Sequence, residues 1–230
     1  VLSFGLAFAG GAMVYVSLTE IFNKSSEAFG QVYDKDKAFA AATLAFLAGM
    51  GSIALIDRVV PNPHETLDPH DPAFQENKRR HIARVGMMAA FAITAHNFPE
   101  GLATFFATLE NPAVGMPLAL AIAIHNIPEG ISIAAPVYFA TRNRKKTVLA
   151  CLASGLAEPL GAVLGYTMLK PFLSPFVFGA VFGVIAGVMV FLALDELLPA
   201  AKRYSDGHET VYGLTSGMAV IALSLVLFHF

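Results

Sequence analysis

Cysteine is nearly absent from this chain of 230 residues; Cys151 stands alone. One thiol excludes an intrachain disulfide and a metal site built from a cysteine cluster. Charge is scarce as well. Asp, Glu, Lys and Arg make up 14% of the residues, where a soluble domain carries about 25%. The net charge is -2 and no basic stripe runs along the chain, so nothing points to nucleic acid as a partner. The metalloprotease pattern H-E-x-x-H is missing. No secretory leader with a charged start and a cleavage site is visible in these residues. Val1 already lies in an apolar run, which leads us to expect residues upstream.

Apolar residues are plentiful: 56% of the chain, with a mean hydropathy of +0.61. They gather in runs of about 20 residues, the length that crosses roughly 30 Å of hydrocarbon. Open sheets cannot span lipid, so the reading is an all-α integral membrane protein with one transmembrane domain over 1–230. Seven spans are expected: Val1–Phe22, Ala38–Ile56, Ile82–Thr108, Met116–Ala140, Thr147–Leu169, Pro175–Leu198 and Val211–Phe230. Turn signals such as Pro61-Asn62-Pro63, Asn111-Pro112 and Ser174-Pro175 separate them.

Alternate loops must lie on opposite sides. The loops after spans two, four and six hold eleven Lys and Arg, Arg142 to Lys146 prominent among them; the others hold four, Lys24, Lys35, Lys37 and Lys170. The positive-inside rule puts the richer set in the cytoplasm. Val1 then starts inside and Phe230 ends outside. The loop over 61–81, with His64, His70 and His81 among Glu65, Asp68 and Asp71, becomes a cytoplasmic segment able to collect or sense metal.

Two repeats stand out. Ala9–Ile21 reads AGGAMVYVSLTEI and Ile185–Leu197 reads IAGVMVFLALDEL, with five of thirteen positions identical at an offset of 176. Span one runs outward and span six inward, which suggests an inverted-topology repeat of the transporter kind. A complete repeat needs one more helix before Val1. Gly10, Gly11, Gly183 and Gly187 suit close helix packing, within the chain or in a homodimer.

The second repeat carries the chemistry. His96-Asn97-x-Pro99-Glu100-Gly101 returns 29 residues later as His125-Asn126-x-Pro128-Glu129-Gly130. On a helix, His and Glu at i and i+4 share a face, with Asn beside the same carboxylate. Each proline frees a carbonyl one turn earlier, and each glycine lets another backbone come close. Both motifs, and Glu158 in span five, fall near the bilayer middle. A carboxylate there costs at least about 2.5–3.5 kcal/mol, and three ionised ones would repel one another. Shared protons would relieve this. So would a divalent cation, which favours ionised carboxylates and neutral imidazoles. Two imidazoles with carboxylates suit Zn(II), Fe(II) or Mn(II) better than Mg or Ca. Plain hydrogen-bonded helix packing suits a lone intramembrane Asn better than two matched sets.

The paired motif, followed by "SGLAEPLG" at Ser154–Gly161, resembles the ZIP (Zrt/Irt-like) metal transporters, and within them a bacterial branch. The resemblance covers nearly the whole chain. It implies a ZIP-type helical bundle of eight spans with both ends outside, so that Val1 begins the second. It implies uptake of divalent metal, Zn2+ with Fe2+, Mn2+, Co2+ and Cd2+ as further substrates, across the inner membrane through two adjacent positions. The first would use His96, Glu100, His125 and Glu129. The second would use Asn97, Glu100, Asn126, Glu129 and Glu158. Met13 matches a thioether that some members add. Glu20 would be an entrance carboxylate or a solvated helix end; Asp195 and Glu196 read as solvated at the inner end of span six. Spans three to five would slide against the rest. No catalytic cofactor is implied. The rival readings are an intramembrane metalloenzyme, though His-x-x-x-Glu reverses the di-iron Glu-x-x-His order, and a proton or metal channel using the same carboxylates.

Overall fold

Short polar side chains start the helices where the loops predict. Asp34 accepts from the Lys37 amide at 3.1 Å, Asn143 from the Lys145 and Lys146 amides at 3.0 and 3.2 Å, and Ser174 from the Val177 amide at 3.3 Å. Each side chain satisfies amides that a first turn leaves open. Pro175 follows Ser174 at the first helical position, where its missing N–H costs nothing. A computed structural model of the chain describes residues 2–59, 90, 93–94, 97–109, 112–203, 205 and 207–228.

The described residues are helical, without strands. Helix α1 (Leu2–Val16) runs through a π-helical turn (Ser17–Ile21) into α2 (Phe22–Gly30). Then come α3 (Lys35–Val59), α4 (97–109), α5 (Pro112–Thr141), α6 (Arg144–Gly155) and α7 (Ala157–Leu169). Helix α8 (Pro175–Leu192) passes through a second π-helical turn (Ala193–Leu197) into α9 (Leu198–Arg203), and α10 (Glu209–Phe228) ends the described chain. Five helices among the described residues are long and apolar enough to cross a membrane: Ser3–Gly30, Lys35–Leu55, Arg144–Phe172, Pro175–Lys202 and Glu209–Val226. They match expected spans one, two, five, six and seven. Helix α5 covers span four with 30 residues, about 45 Å. Part of span three lies outside the described residues. Large apolar side chains face outward, Leu44 68% and Met168 73% exposed, which fits lipid and not water as the solvent.

Two boundaries differ from the expectation. The first span continues to Gly30, eight residues past Phe22, although Asn23–Glu27 is polar. Ser25 explains it: the side chain is fully buried and donates to the Gly179 carbonyl at 2.6 Å, so the polar stretch docks on α8. Glu20 is therefore not at a helix end. Span five is interrupted at Leu156, between α6 and α7. Pro159 has no N–H for the carbonyl one turn back, at Gly155.

The inverted repeat is visible in the packing. Both π turns sit at the 176-residue offset, and both run buried, exposed, half-buried, half-buried, buried. Gly11 meets the Leu214 carbonyl so closely that a Cβ would stand 2.0 Å from its oxygen; Gly187 meets Phe46 at the same 2.0 Å. Likewise Gly217 abuts Phe8 and Gly49 abuts Val184, each at 2.1 Å. Helix α1 thus pairs with α10 as α8 pairs with α3. The α1 and α8 helices are antiparallel to each other, with Gly10 beside Leu197 and Ser25 beside Gly179. Gly183 packs on Ala45, so all four small residues singled out in the sequence are used within the chain. Their core holds Met13, Phe106, Phe182, Ile185 and Met189.

Candidate metal centre

Helices α4, α5 and the α6–α7 pair meet along their motif faces. Glycine sets the distance between α4 and α7. A Cβ at Gly101 would stand 2.0 Å from the Glu158 carbonyl oxygen, and one at Gly161 would stand 2.1 Å from that of Phe98. The two helices therefore touch backbone to backbone, which no larger residue allows. The second motif glycine differs: nothing among the described residues lies within 4 Å of a Cβ at Gly130. Among the described residues, the close-approach role expected for both glycines is seen at Gly101 and not at Gly130.

The polar side chains of the motif are buried. Glu100 is 0%, Glu129 2% and Asn97 3% exposed; Asn126 and Glu158 are half-buried. The Asn97 Nδ2 donates to the Ser154 carbonyl at 3.3 Å, and its 3.5 Å contact with Ser154 Oγ lies on the same side. The Asn126 Nδ2 donates to Glu158 Oε1. Both carboxamides are thus oriented by their amino groups. Their Oδ1 atoms are buried and have no hydrogen-bond partner among the described residues. Glu158 lies in the first turn of α7, where the helix dipole favours an anion.

These groups surround one cavity of about 50 Å³, lined by Asn97, Asn126, Glu129, Cys151 and Ser154, with Ile93 and Ile133 as apolar wall. It has room for an ion with one water, whose share of liquid volume is about 30 Å³. The two carboxamide Oδ1 atoms, without a hydrogen-bond partner among the described residues, are acceptors of the kind a cation offsets.

Each expected site residue can be followed. Asn97, Asn126, Glu129 and Glu158 come together, and Glu100 is buried beside Gly101 on α4. His96 lies outside the described residues; His125 sits on α5, with its side chain outside them. Among the described residues no three His, Cys, Asp or Glu side chains form a cluster. Met13 is fully buried, but in the same core as its repeat mate Met189. The loop over 61–81, with His64, His70 and His81, also lies outside the described residues. Glu20, Asp195 and Glu196 are half-buried in the two π turns, each inside a helix that continues past it. Ser154 and Cys151 were not anticipated. Their spacing could have shown them: they precede Glu158 by four and seven residues, one and two helical turns on the same face.

Comparison with known proteins gives a consistent result. A family model described as ZIP Zinc transporter matches residues 60–225. A "Zinc transporter ZupT" of Neisseria meningitidis serogroup B is 90% identical over 230 residues, covering all of this chain and 86% of that protein. One from Xanthomonas axonopodis pv. citri is 70% identical over 229 residues, all of this chain and 84% of its own length. One from Lysinibacillus sphaericus is 47% identical over 234 residues, 98% of this chain and 86% of its own.

Proposed function

The chain belongs to the ZIP zinc transporter family, and from that premise we propose that it carries Zn2+ across a bacterial inner membrane into the cytoplasm. It is a multi-pass membrane transporter and not an enzyme; zinc is its substrate, with no catalytic cofactor. Iron, manganese, cobalt and cadmium are further substrates in this reading.

One observation carries the proposal: donors from three neighbouring spans line one cavity, with Asn97 and Asn126 held by their amino groups so that their buried oxygens have no hydrogen-bond partner among the described residues. A dicarboxylate interior without a cation is expensive. A divalent ion offsets that cost and accepts the carboxamide oxygens at the same time. Glu100 and Glu129 would bridge two positions. His96 and His125 would complete the first, and Asn97, Asn126 and Glu158 the second. Carboxylate, imidazole and amide ligands suit borderline first-row ions. The Met13 thioether would be an additional ligand of the first. Entry runs toward the basic loops, including Arg142–Lys146, by the positive-inside rule. Transport follows from alternating exposure of this midplane site, with α4 to α7 moving as a unit held together by the Gly101 and Gly161 contacts against the α1, α3, α8 and α10 frame.

The test is zinc uptake into proteoliposomes, with Fe2+, Mn2+, Co2+ or Cd2+ as competitors, with and without a pH gradient. Saturable zinc uptake that cadmium and iron inhibit is the expected result. Tight zinc binding without transport, or proton flux in metal-free buffer, would overturn it in favour of a metalloenzyme or a proton channel.

A further inference from the structure

The cavity does not end at the motif. Cys151 precedes Ser154 on α6 by one helical turn, Ile93 precedes Asn97 by one turn, and Ile133 follows Glu129 on α5 by one turn. All three steps go the same way, toward the end of the bundle where Thr141 and Arg144 meet. That is the side to which the reading above releases metal.

We propose that Cys151 is a specificity-determining ligand on the ion's route, a soft donor one turn inward of Glu129 that favours zinc and cadmium over manganese. The inference rests on the metal-centre reading above. Cys151 shares its cavity with Asn97, whose buried Oδ1 has no hydrogen-bond partner among the described residues. A buried acceptor without a donor among the described residues marks a place a cation can occupy, and the thiol lines the same cavity about one turn away. The Sγ contacts the Gly130 carbonyl at 3.5 Å, a weak hydrogen bond on the residue next to Glu129. Breaking that contact costs little, and the thiol proton passes to water as the ion binds, as metal ligation by a thiol requires. The freed Gly130 oxygen then remains as a hard acceptor beside the soft sulfur. Thiolate prefers zinc and softer ions, whereas carboxylate, carbonyl and water suit manganese equally. One sulfur among oxygens therefore changes which ion passes, with little effect on whether ions pass at all. A cysteine acting only as a small apolar side chain would have no such effect.

The test uses the full chain in proteoliposomes, comparing Cd2+ and Mn2+ uptake by wild type, Cys151→Ser and Cys151→Ala. The cadmium-to-manganese uptake ratio should fall about tenfold in both variants, the lower range for altered metal surroundings, with manganese uptake retained. A second measurement needs no variant: N-ethylmaleimide labelling of Cys151 in the wild type, followed by peptide mass spectrometry, should slow in Cd2+ and not in Mg2+. An unchanged ratio, or labelling indifferent to cadmium, overturns the proposal. Failure of the metal-centre reading would look different, since Glu129→Gln would then transport normally whatever Cys151 does.

Discussion

Gly101→Ala tests whether the contact between α4 and α7 sets the centre's geometry. The added Cβ would stand 2.0 Å from the Glu158 oxygen, 2.5 Å from its carbonyl carbon and 2.6 Å from its Cα. Real Cβ contacts essentially never fall under 3.0 Å, and all three obstacles are backbone, so the helices must part by about 1 Å. Overpacking of this kind costs about 1–3 kcal/mol, which a bundle of this size survives. Metal ligation tolerates far less, about 0.2 Å in a ligand distance. Zinc uptake should therefore drop about 10- to 100-fold, the range for disturbed ligand support, while the protein still inserts and elutes as a single species. The matched control is Gly51→Ala, on α3 away from the centre. There the Cβ meets nothing among the described residues within 4 Å, and alanine favours the helix by up to about 1 kcal/mol, so uptake should stay near wild type. Equal loss in both variants, or wild-type uptake by Gly101→Ala, would refute the reasoning.

The inverted repeat makes a paired prediction: Gly11→Ala and Gly187→Ala should lower the melting temperature in detergent by similar amounts, because each Cβ would stand 2.0 Å from a carbonyl oxygen, whereas Gly5→Ala, with nothing among the described residues within 4 Å, should not. Asn126→Leu keeps the volume but removes the donor to Glu158; zinc uptake should fall at least about tenfold, since a hydrogen bond to a charged group contributes about 1.5–3 kcal/mol. Outside the membrane, hydrogen bonds from the Lys37 side chain and amide hold the Asp34 carboxyl below its ordinary 3.8. A depressed carboxylate stabilises the fold above its unfolded value, and that contribution fades as pH falls through the folded one. The melting difference between wild type and Asp34→Asn should thus be present at neutral pH and close in acid.

The spans were legible because lipid imposes a length and excludes charge, and both conditions appear directly as apolar runs. The paired motif was legible because its spacing puts His, Asn and Glu on one helical face whatever surrounds it. Other features depend on neighbours that local sequence does not name. The polar stretch Asn23–Glu27 reads as a loop until Gly179 is known to receive Ser25. The two π turns were aligned by the repeat, yet nothing in SLTEI or ALDEL announces a widened turn. Gly101 and Gly130 are equivalent in the sequence and different in the fold, because α7 lies against only one of them. Pro159 was an overlooked local signal, and it explains the interruption at Leu156.

The most direct measurement is anomalous diffraction from crystals soaked in zinc. The account expects a peak between α4, α5 and α7, with Glu129 oxygen about 2.0–2.2 Å away, the usual zinc–carboxylate distance, and with Glu100, Asn97, Asn126 or Glu158 completing the shell. A transport-competent protein whose zinc peak lies away from Glu129, with the carboxylates of the three spans too far apart to share an ion, would contradict it.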